Sequence, residues 1–483
     1  MKIVILIILI VAAFSDCRAQ KLKTMGREQA IKDLQIIKKS VEEIHPGLDR
    51  FGQKAGFDAR YDSIASVLSR RDSVSDREFF RIVNPLVSAI RCGHVKFLPP
   101  FKDFPFYFDD KDVLPLIVRF DENKKLLIVR ASDNRLKGRY IEEINGRPIT
   151  EILRILAENM FVDGDGQTAA DAQIEQYFSA WYSDFIHNSA SFQVTLRDGS
   201  QNYEKLDLHG ISINAWKKLD QEVALLVKKN ELTFVNDSTA FLRVASFMPQ
   251  HSNQEFLKFL SSSFDAISKK PIQNLIIDLR GNEGGNDKLG KELYSHIARS
   301  DFRYYDRIEL QIKRKKDITY RRLAYFPRFV GIASFLLKKK EGKILWTYHQ
   351  NLGNHKPKRN AYQGKISFLV DGLSFSVTSE FLAVARSENR GEFIGEESGG
   401  AYSGDNSGAF IILKLPSCGF DIGIPLAAYY SAARPAANPA RGILPDIEIR
   451  QTASDLLENQ DTVLKSVLQN KGLQSQQIPL LIK

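Results

Sequence analysis

Three short stretches hold residues whose types and spacing could do chemistry. The first runs from Lys365 to Gly400. An apolar run, Ile366 to Val370, reads as a buried strand, and Asp371-Gly372 breaks it. A helix-like run follows, with Phe381, Leu382, Val384 and Ala385 as its apolar positions, and then a short strand at Phe393-Ile394. Between the first strand and the helix lie Ser374, Ser376, Thr378 and Ser379. A strand-to-helix turn holds a hydroxyl on a rigid edge, and a helix N-terminus favours developing negative charge, so a nucleophile suits this place. The same hydroxyls equally suit plain helix capping. The second stretch is Asp278-Leu-Arg-Gly-Asn-Glu-Gly-Gly-Asn286, set between a strand-like run at 275–279 and a helix-like run from Leu289 to Ile297. Its glycine pair, Gly284 and Gly285, exposes backbone N–H groups that can hold a phosphate or an oxyanion. It is not a P-loop or a dinucleotide fingerprint, since neither glycine pattern is present. The third stretch is Arg91-Cys92-Gly93-His94. Histidine is the commonest general base, and Gly93 lets the backbone turn sharply and present the ring. A histidine after a helix also serves as a C-terminal cap. No Cys/His spacing resembles a zinc site and no HExxH occurs, so no metal or organic cofactor is expected.

The elements that must position these residues follow from the apolar periods. Ile31, Leu34, Ile37, Val41 and Ile44 repeat at helical spacing and stop at His45-Pro46-Gly47. Phe57, Tyr61, Ile64, Val67 and Leu68 mark a second helix. A third starts at Ser75, with Glu78 placed for a capping box, and runs to Ile90. Residues 20–108 therefore read as an N-terminal helical unit that carries the Gly-His pair. Residues 109–205 alternate as strands around an Ile144-Asn145-Gly146 turn, with a helix from Glu151 to Glu158, and resemble a PDZ domain. Such domains capture the C-termini of peptides along a sheet edge. From Leu232 onward, strand-like runs at 240–244 and 275–279 flank a helix from Glu255 to Ile267. Residues 206–450 form the unit carrying the other two chemical stretches, and 451–483 are set apart as a C-terminal tail.

The 483 residues exceed one ordinary core and imply several domains. Hydrophobic content of 43% and charged content of 26% are those of a folded soluble protein. Lys2 is followed by an apolar run from Ile3 to Phe14 and then a polar segment, the pattern of a signal peptide spanning residues 1–19. The run is too short to cross a bilayer. Lipid anchoring at Cys17 is the second reading, and Asp16 before it fits that poorly. An exported protein, periplasmic or extracellular, is expected. Cys92 and Cys418 could then pair, though sequence does not place them within reach. The formal net charge is +10, and residues 313–343 alone hold eleven Lys or Arg against Asp317 and Glu341. The charge is local, which suits a solvated or membrane-facing surface better than a nucleic-acid interface. Pro327 and Gly331 argue against one continuous helix there and for two short amphipathic pieces.

The order of these motifs resembles that of the tail-specific, or C-terminal processing, serine peptidases of family S41. Leu275-Ile-Ile-Asp-Leu-Arg-Gly-Asn-Glu-Gly-Gly285 is similar to the family signature, Ser374 to Phe381 to its nucleophile segment, and Phe393-Ile-Gly-Glu-Glu-Ser-Gly-Gly400 to the stretch that follows it. Arg441-Gly-Ile-Leu-Pro-Asp-Ile-Glu-Ile449 resembles its terminal motif, and Cys92-Gly-His94 resembles the Gly-His motif of the histidine-using, tricorn-like branch. The resemblance implies a multidomain α/β protein with a ClpP/crotonase-like core, and Ser376 as nucleophile because Glu380-Phe381 set the frame. It implies His94 as base and the backbone of Gly284, Gly285 and Val377 as oxyanion hole. The lysine of the Ser–Lys branch falls on Ala401. Tricorn carries a serine before its histidine, linked to a distant glutamate; here Gly93 and Asn438-Pro-Ala-Arg-Gly442 stand in those places, so the group that orients His94 is not identified. The expectation is an exported serine endopeptidase acting on peptides or proteins without a cofactor. The rivals are a catalytically weak or inactive peptide-binding protein of the same fold and an acyl-CoA enzyme of the crotonase type, which export disfavours.

Overall fold

The computed structural model describes residues 24–100, 104–108, 110–221, 229–249, 251–327 and 333–471. The segment expected as a signal peptide lies outside them. The N-terminal helices are α1 (Arg27–Ile44), α2 (Lys54–Ser69) and α3 (Asp76–Ser88). Their apolar stripes are buried as the period demands: Leu34, Ile37, Val41 and Ile44 on α1, Phe57 and Leu68 on α2, and Phe79, Val83 and Leu86 on α3. Ser75 caps α3, and the Glu78 carboxylate accepts the Ser75 N–H at 2.9 Å, completing the capping box. After α3 the backbone passes through Cys92-Gly93-His94 into the strand Lys96–Leu98, which pairs antiparallel with residues 421–423. The Gly-His pair is thus fixed at both ends, by α3 and by a sheet strand from the far end of the sequence.

A six-stranded antiparallel sheet follows. It orders Leu116–Phe120, Leu126–Ala131, Tyr140–Ile144, Ser191–Arg197 and Tyr203–His209, with Arg147–Pro148 paired beside Tyr140–Ile144. Asn145 and Gly146 both have positive φ, 52° and 73°, which a two-residue hairpin turn requires. The helix Ile149–Ala157 and helix α4 (Gln167–Phe185) come between Pro148 and Ser191, and the short loop between them carries Asp163.

The central sheet holds β1 (Glu231–Phe234), β2 (Thr239–Arg243), β3 (Asn274–Asp278), β4 (Lys365–Val370), β5 (Glu392–Gly395) and β6 (Ile447–Glu448), in that spatial order. β1 pairs antiparallel with β2, and every later pair is parallel. Parallel strands are covered on both faces and therefore read as unbroken apolar runs. One face, with Leu242, Leu275, Ile277 and Phe368, packs on α5 (Asn253–Ser268), α6 (Asp287–Ser295) and α7 (Val377–Ser387). The other face, Phe241, Ile276, Leu369 and Ile394, packs on Val463, Leu464, Val467 and Leu468.

Those last four residues lie in the segment set apart as a tail. Residues 453–470 fold as α8 (Ala453–Leu457) and α9 (Thr462–Asn470), because an i, i+1, i+4, i+5 apolar stripe behind the N-cap Asp461 finds an uncovered sheet face. Asp461 also pairs with Arg280 at 2.6 Å, and Arg280 pairs with Asp278 at 2.8 Å, all three buried.

A further sheet orders Ala324–Tyr325, Asn406–Lys414, Asp421–Ser431, Tyr305–Leu310, Lys343–Trp346 and Leu337–Lys340. The basic segment is therefore not two amphipathic pieces over its described part. Lys338, Lys339 and Lys340 lie on the outermost strand of a hairpin, where lysines protect an open edge from pairing. Its centre, 328–332, lies outside the described residues. Cys92 and Cys418 are both buried free thiols. Among the described residues no helix is long and apolar enough to cross a membrane.

Candidate active site

The glycine loop leaves β3 and the serine turn leaves β4 at the carboxyl ends of two adjacent parallel strands, where open α/β sheets bind ligands. The two segments are stitched together. The Gly281 N–H donates to the Asp371 carboxylate at 3.0 Å, the Phe375 N–H to the Asn282 carbonyl at 3.1 Å, and the Ser374 hydroxyl to the Leu279 carbonyl at 3.0 Å. Ser379 donates to the Ser374 carbonyl at 2.7 Å and accepts the Gly400 N–H at 3.0 Å. These bonds occupy Ser374 and Ser379 in building the turn. Ser376 differs. It sits at the N-cap of α7 with φ 56° and ψ −126°, and its hydroxyl makes no capping bond. A non-glycine residue held there stores roughly 1–3 kcal/mol of strain, the pattern of a side chain thrust out of a strand-to-helix elbow.

The Ser376 hydroxyl lies 3.0 Å from His94 Nε2, although the two residues are 282 positions apart. It also lies 3.3 Å from Asp405 Oδ2. The His94 ring stacks on Phe375, centroids 4.7 Å apart, and its side chain is 14% exposed. Burial pulls its pKa below the ordinary 6.5, Asp405 opposes that, and Lys96 adds to it. The imidazole is therefore neutral at neutral pH, the state in which Nε2 can take a proton. A Cβ on Gly93 would fall 2.6 Å from the Phe375 ring. The same stacked ring that steadies His94 thus excludes a serine at position 93.

The glycine pair adjoins the serine. A Cβ on Gly284, whose φ is 94°, would lie 2.8 Å from Ser376 Cβ and 2.9 Å from the Val377 nitrogen, so only glycine permits this approach. The Gly284 N–H donates to Asn282 Oδ1 at 2.9 Å. Its carbonyl accepts the Phe247 N–H, and the Asn286 N–H donates back to the Phe247 carbonyl. Of the three expected oxyanion donors, Gly284 is thus engaged within its own loop. No hydrogen bond from the N–H of Gly285 or Val377 is found among the described residues.

The structure adds two carboxylates that the sequence did not single out, Asp405 and Asp163, and brings Glu380 in beside them. Asp405 reaches both Ser376 and His94, the latter at 3.7 Å from Nε2. Asp163 accepts the Gly93 N–H at 2.8 Å. Glu380 is buried and accepts the Tyr305 hydroxyl at 2.6 Å; burial, with Asp405 and Asp287 nearby, pushes its pKa well up. Asp163 and Asp405 lie in Asp-Gly and Gly-Asp-Asn contexts that read as turns, so nothing local marks them. Cys92 Sγ, a His94 ring nitrogen and an Asp163 oxygen lie within 4.8 Å of one another. Burial and the Asp163 charge push the Cys92 thiol far up, which keeps it protonated and makes the trio a weak metal set. Ala401, at the lysine position of the other branch, is buried.

No curated protein matches the sequence. Among solved structures, mature CPAF complexed with lactacystin superposes with a TM-score of 0.64 at 13% identity, covering 90% of this protein and 96% of that one. Mature CPAF alone gives 0.60 at 13% identity, with 90% and 94% covered. The photosystem II D1 C-terminal processing protease matches at 0.40 and 13% identity, over 94% and 99% of the two proteins. At such identity the first two establish a shared fold. The family model of peptidase family S41 matches residues 238–449, the stretch holding the central sheet, the glycine pair and Ser376. On that match and that fold, residues 238–449 of this protein are a domain of peptidase family S41.

Proposed function

We propose that the protein is an exported serine endopeptidase that uses Ser376 as nucleophile and His94 as base. His94 Nε2 takes the hydroxyl proton while Ser376 Oγ attacks the peptide carbonyl. The N–H groups of Gly285 and Val377 receive the oxyanion, the latter at the N-terminus of α7, where the helix dipole favours negative charge. His94 then returns the proton to the leaving amine, and a water hydrolyses the acyl-enzyme by the same route in reverse. The observation that carries the reading is the 3.0 Å approach of His94 Nε2 to a serine held at positive φ. A fluorophosphonate probe tests it. Mass spectrometry should find the label on Ser376, and Ser376→Ala and His94→Ala should each abolish labelling. A label on Ser374 would refute the assignment.

Export rests on the expected signal segment, and substrate capture on an open edge of the 116–209 sheet. Contact with anionic lipid headgroups is proposed for the lysine hairpin. The second reading, a binding protein of the same fold, is favoured by one observation: His94 Nδ1 is buried without a hydrogen-bond partner. A serine hydrolase normally fixes that nitrogen.

A further inference from the structure

We infer that Asp163 is the positioning residue of His94, the group that fixes its ring and tautomer through Nδ1. The inference rests on the Ser376–His94 reading. His94 and Asp163 each hold a buried polar atom without a partner, His94 Nδ1 and Asp163 Oδ2. One is a donor in the required tautomer and the other an acceptor, and a buried polar atom left alone loses its hydration without compensation. A carboxylate oxygen of Asp163 and a ring nitrogen of His94 lie within 4.8 Å. The other oxygen, Oδ1, already accepts the N–H of Gly93, the residue next to His94. The carboxylate is thus anchored to the histidine's own loop, and a small ring rotation or one water joins the two orphans.

The backbone makes this placement firm. The Gly164 N–H donates to the Arg91 carbonyl at 3.1 Å, the Asp165 N–H donates to the Ala440 carbonyl at 2.9 Å, and Arg91 pairs with Asp165. A Cβ on Gly164 would lie 2.1 Å from the Ala440 oxygen. The 438–442 region, which has no glutamate, here clamps the loop that carries Asp163. Asp405 cannot do the same work, because it approaches Nε2 and the Ser376 hydroxyl.

The charges around the pair are Asp405, Arg50 and Lys96, and the neutral Cys92 thiol lies beside it. Burial first, then Asp405, push Asp163 up to about 7, against the Gly93 N–H, Arg50 and Lys96, which pull it down. Above that pH the ionised carboxylate holds Nδ1–H and stabilises the imidazolium as Nε2 takes the serine proton.

The test uses the full-length protein and the fluorophosphonate labelling rate as a function of pH. Asp163→Asn keeps the acceptor for Gly93 but cannot carry charge. Its labelling rate should fall by about 10²–10⁴-fold, the range seen when such an orienting carboxylate is neutralised. The wild-type rate should fall in two steps on acidification, near 7 as Asp163 is protonated and again below 6.5 as His94 is; the variant should show only the lower step. A merely structural role would leave wild type with the His94 step alone and no step near 7. A variant that labels within threefold of wild type, or that keeps both steps, overturns the inference while leaving the dyad intact. Wild type that does not label at Ser376 overturns the dyad and this inference with it. Should Asp163→Asn lose its thermal transition, the wild-type proton spectrum decides: a far-downfield Nδ1–H resonance that vanishes in His94→Ala supports the inference, and its absence overturns it.

Discussion

Replacing Ser376 with alanine and with glycine separates the strain at the proposed nucleophile from its chemistry. Both substitutions remove the hydroxyl, its 3.0 Å contact with His94 and its 3.3 Å contact with Asp405, so those losses cancel in the comparison. Alanine keeps a Cβ at φ 56° and ψ −126°, where any L residue is strained by roughly 1–3 kcal/mol. Glycine removes that cost and adds back about 0.5–1 kcal/mol of conformational entropy in the unfolded state. Ser376→Gly should therefore be more stable than Ser376→Ala, by about 1 kcal/mol at mid-range and by at most about 2.5 kcal/mol. Urea unfolding followed by tryptophan fluorescence measures the difference, with the slope checked to be the same for both. Both variants should be dead to the fluorophosphonate probe. If Ser376→Gly is no more stable than Ser376→Ala, the elbow is not strained and the argument that the fold forces this hydroxyl outward fails.

Four further outcomes are expected. Gly93→Ser, which restores the residue of the tricorn branch, should destabilise the protein by about 1–3 kcal/mol and slow labelling, because its Cβ would lie 2.6 Å from the Phe375 ring; adding Phe375→Ala to that variant should recover part of the stability. Ser374→Ala should cost about 1–3 kcal/mol in unfolding experiments, since it takes the acceptor from the Asp371 N–H and leaves the Leu279 carbonyl with the Asn282 N–H alone, yet leave the label on Ser376. Thermal stability should rise as pH falls from about 8 to 7. Burial raises Asp184 to about 8 and Glu396 to about 7, so the native state takes up protons that the unfolded state, with ordinary acids, does not; Asp184→Asn should flatten that rise. Neutralising Lys338, Lys339 and Lys340 together should weaken binding to anionic vesicles at low salt and match wild type at high salt, whereas unchanged binding at low salt would leave the hairpin as a solvated edge.

The elements of the site were legible because each has a local signature. The apolar runs that became β3 and β4, the capping box at Ser75 and the glycine pair depend on residues a few positions apart, and the structure places them as the periods imply. The contact between Ser376 and His94 was not legible from period or propensity. It required motif order, because it joins the ends of two elements that pairing of strand Lys96–Leu98 with residues 421–423 brings together. Asp163 and Asp405 were missed for the same reason in stronger form, as aspartates in turn contexts become significant only by where distant backbone carries them. The helices at 453–470 were missed because a short apolar stripe after a polar stretch has no meaning until a sheet face needs covering. The hairpin at Leu337–Trp346 was misjudged because its lysines and aromatics suggest amphipathy, whereas backbone pairing with Glu309–Leu310 decides its form.

The position of α9 has a consequence for the order in which the molecule can be assembled. It covers the outer face of the central sheet, where Phe241, Ile276, Leu369 and Ile394 are otherwise bare, and Asp461 neutralises the buried Arg280 two residues after β3. The strands holding the glycine pair and the serine turn are therefore incomplete until nearly the last described residue has left the ribosome. Domains generally fold from the N-terminus as synthesis proceeds. Here the described helices before β1 lead to His94, and α9, made after every strand of the sheet, covers the face beneath Ser376, so the proposed Ser376–His94 pair gains its complete sheet only once α9 has been made.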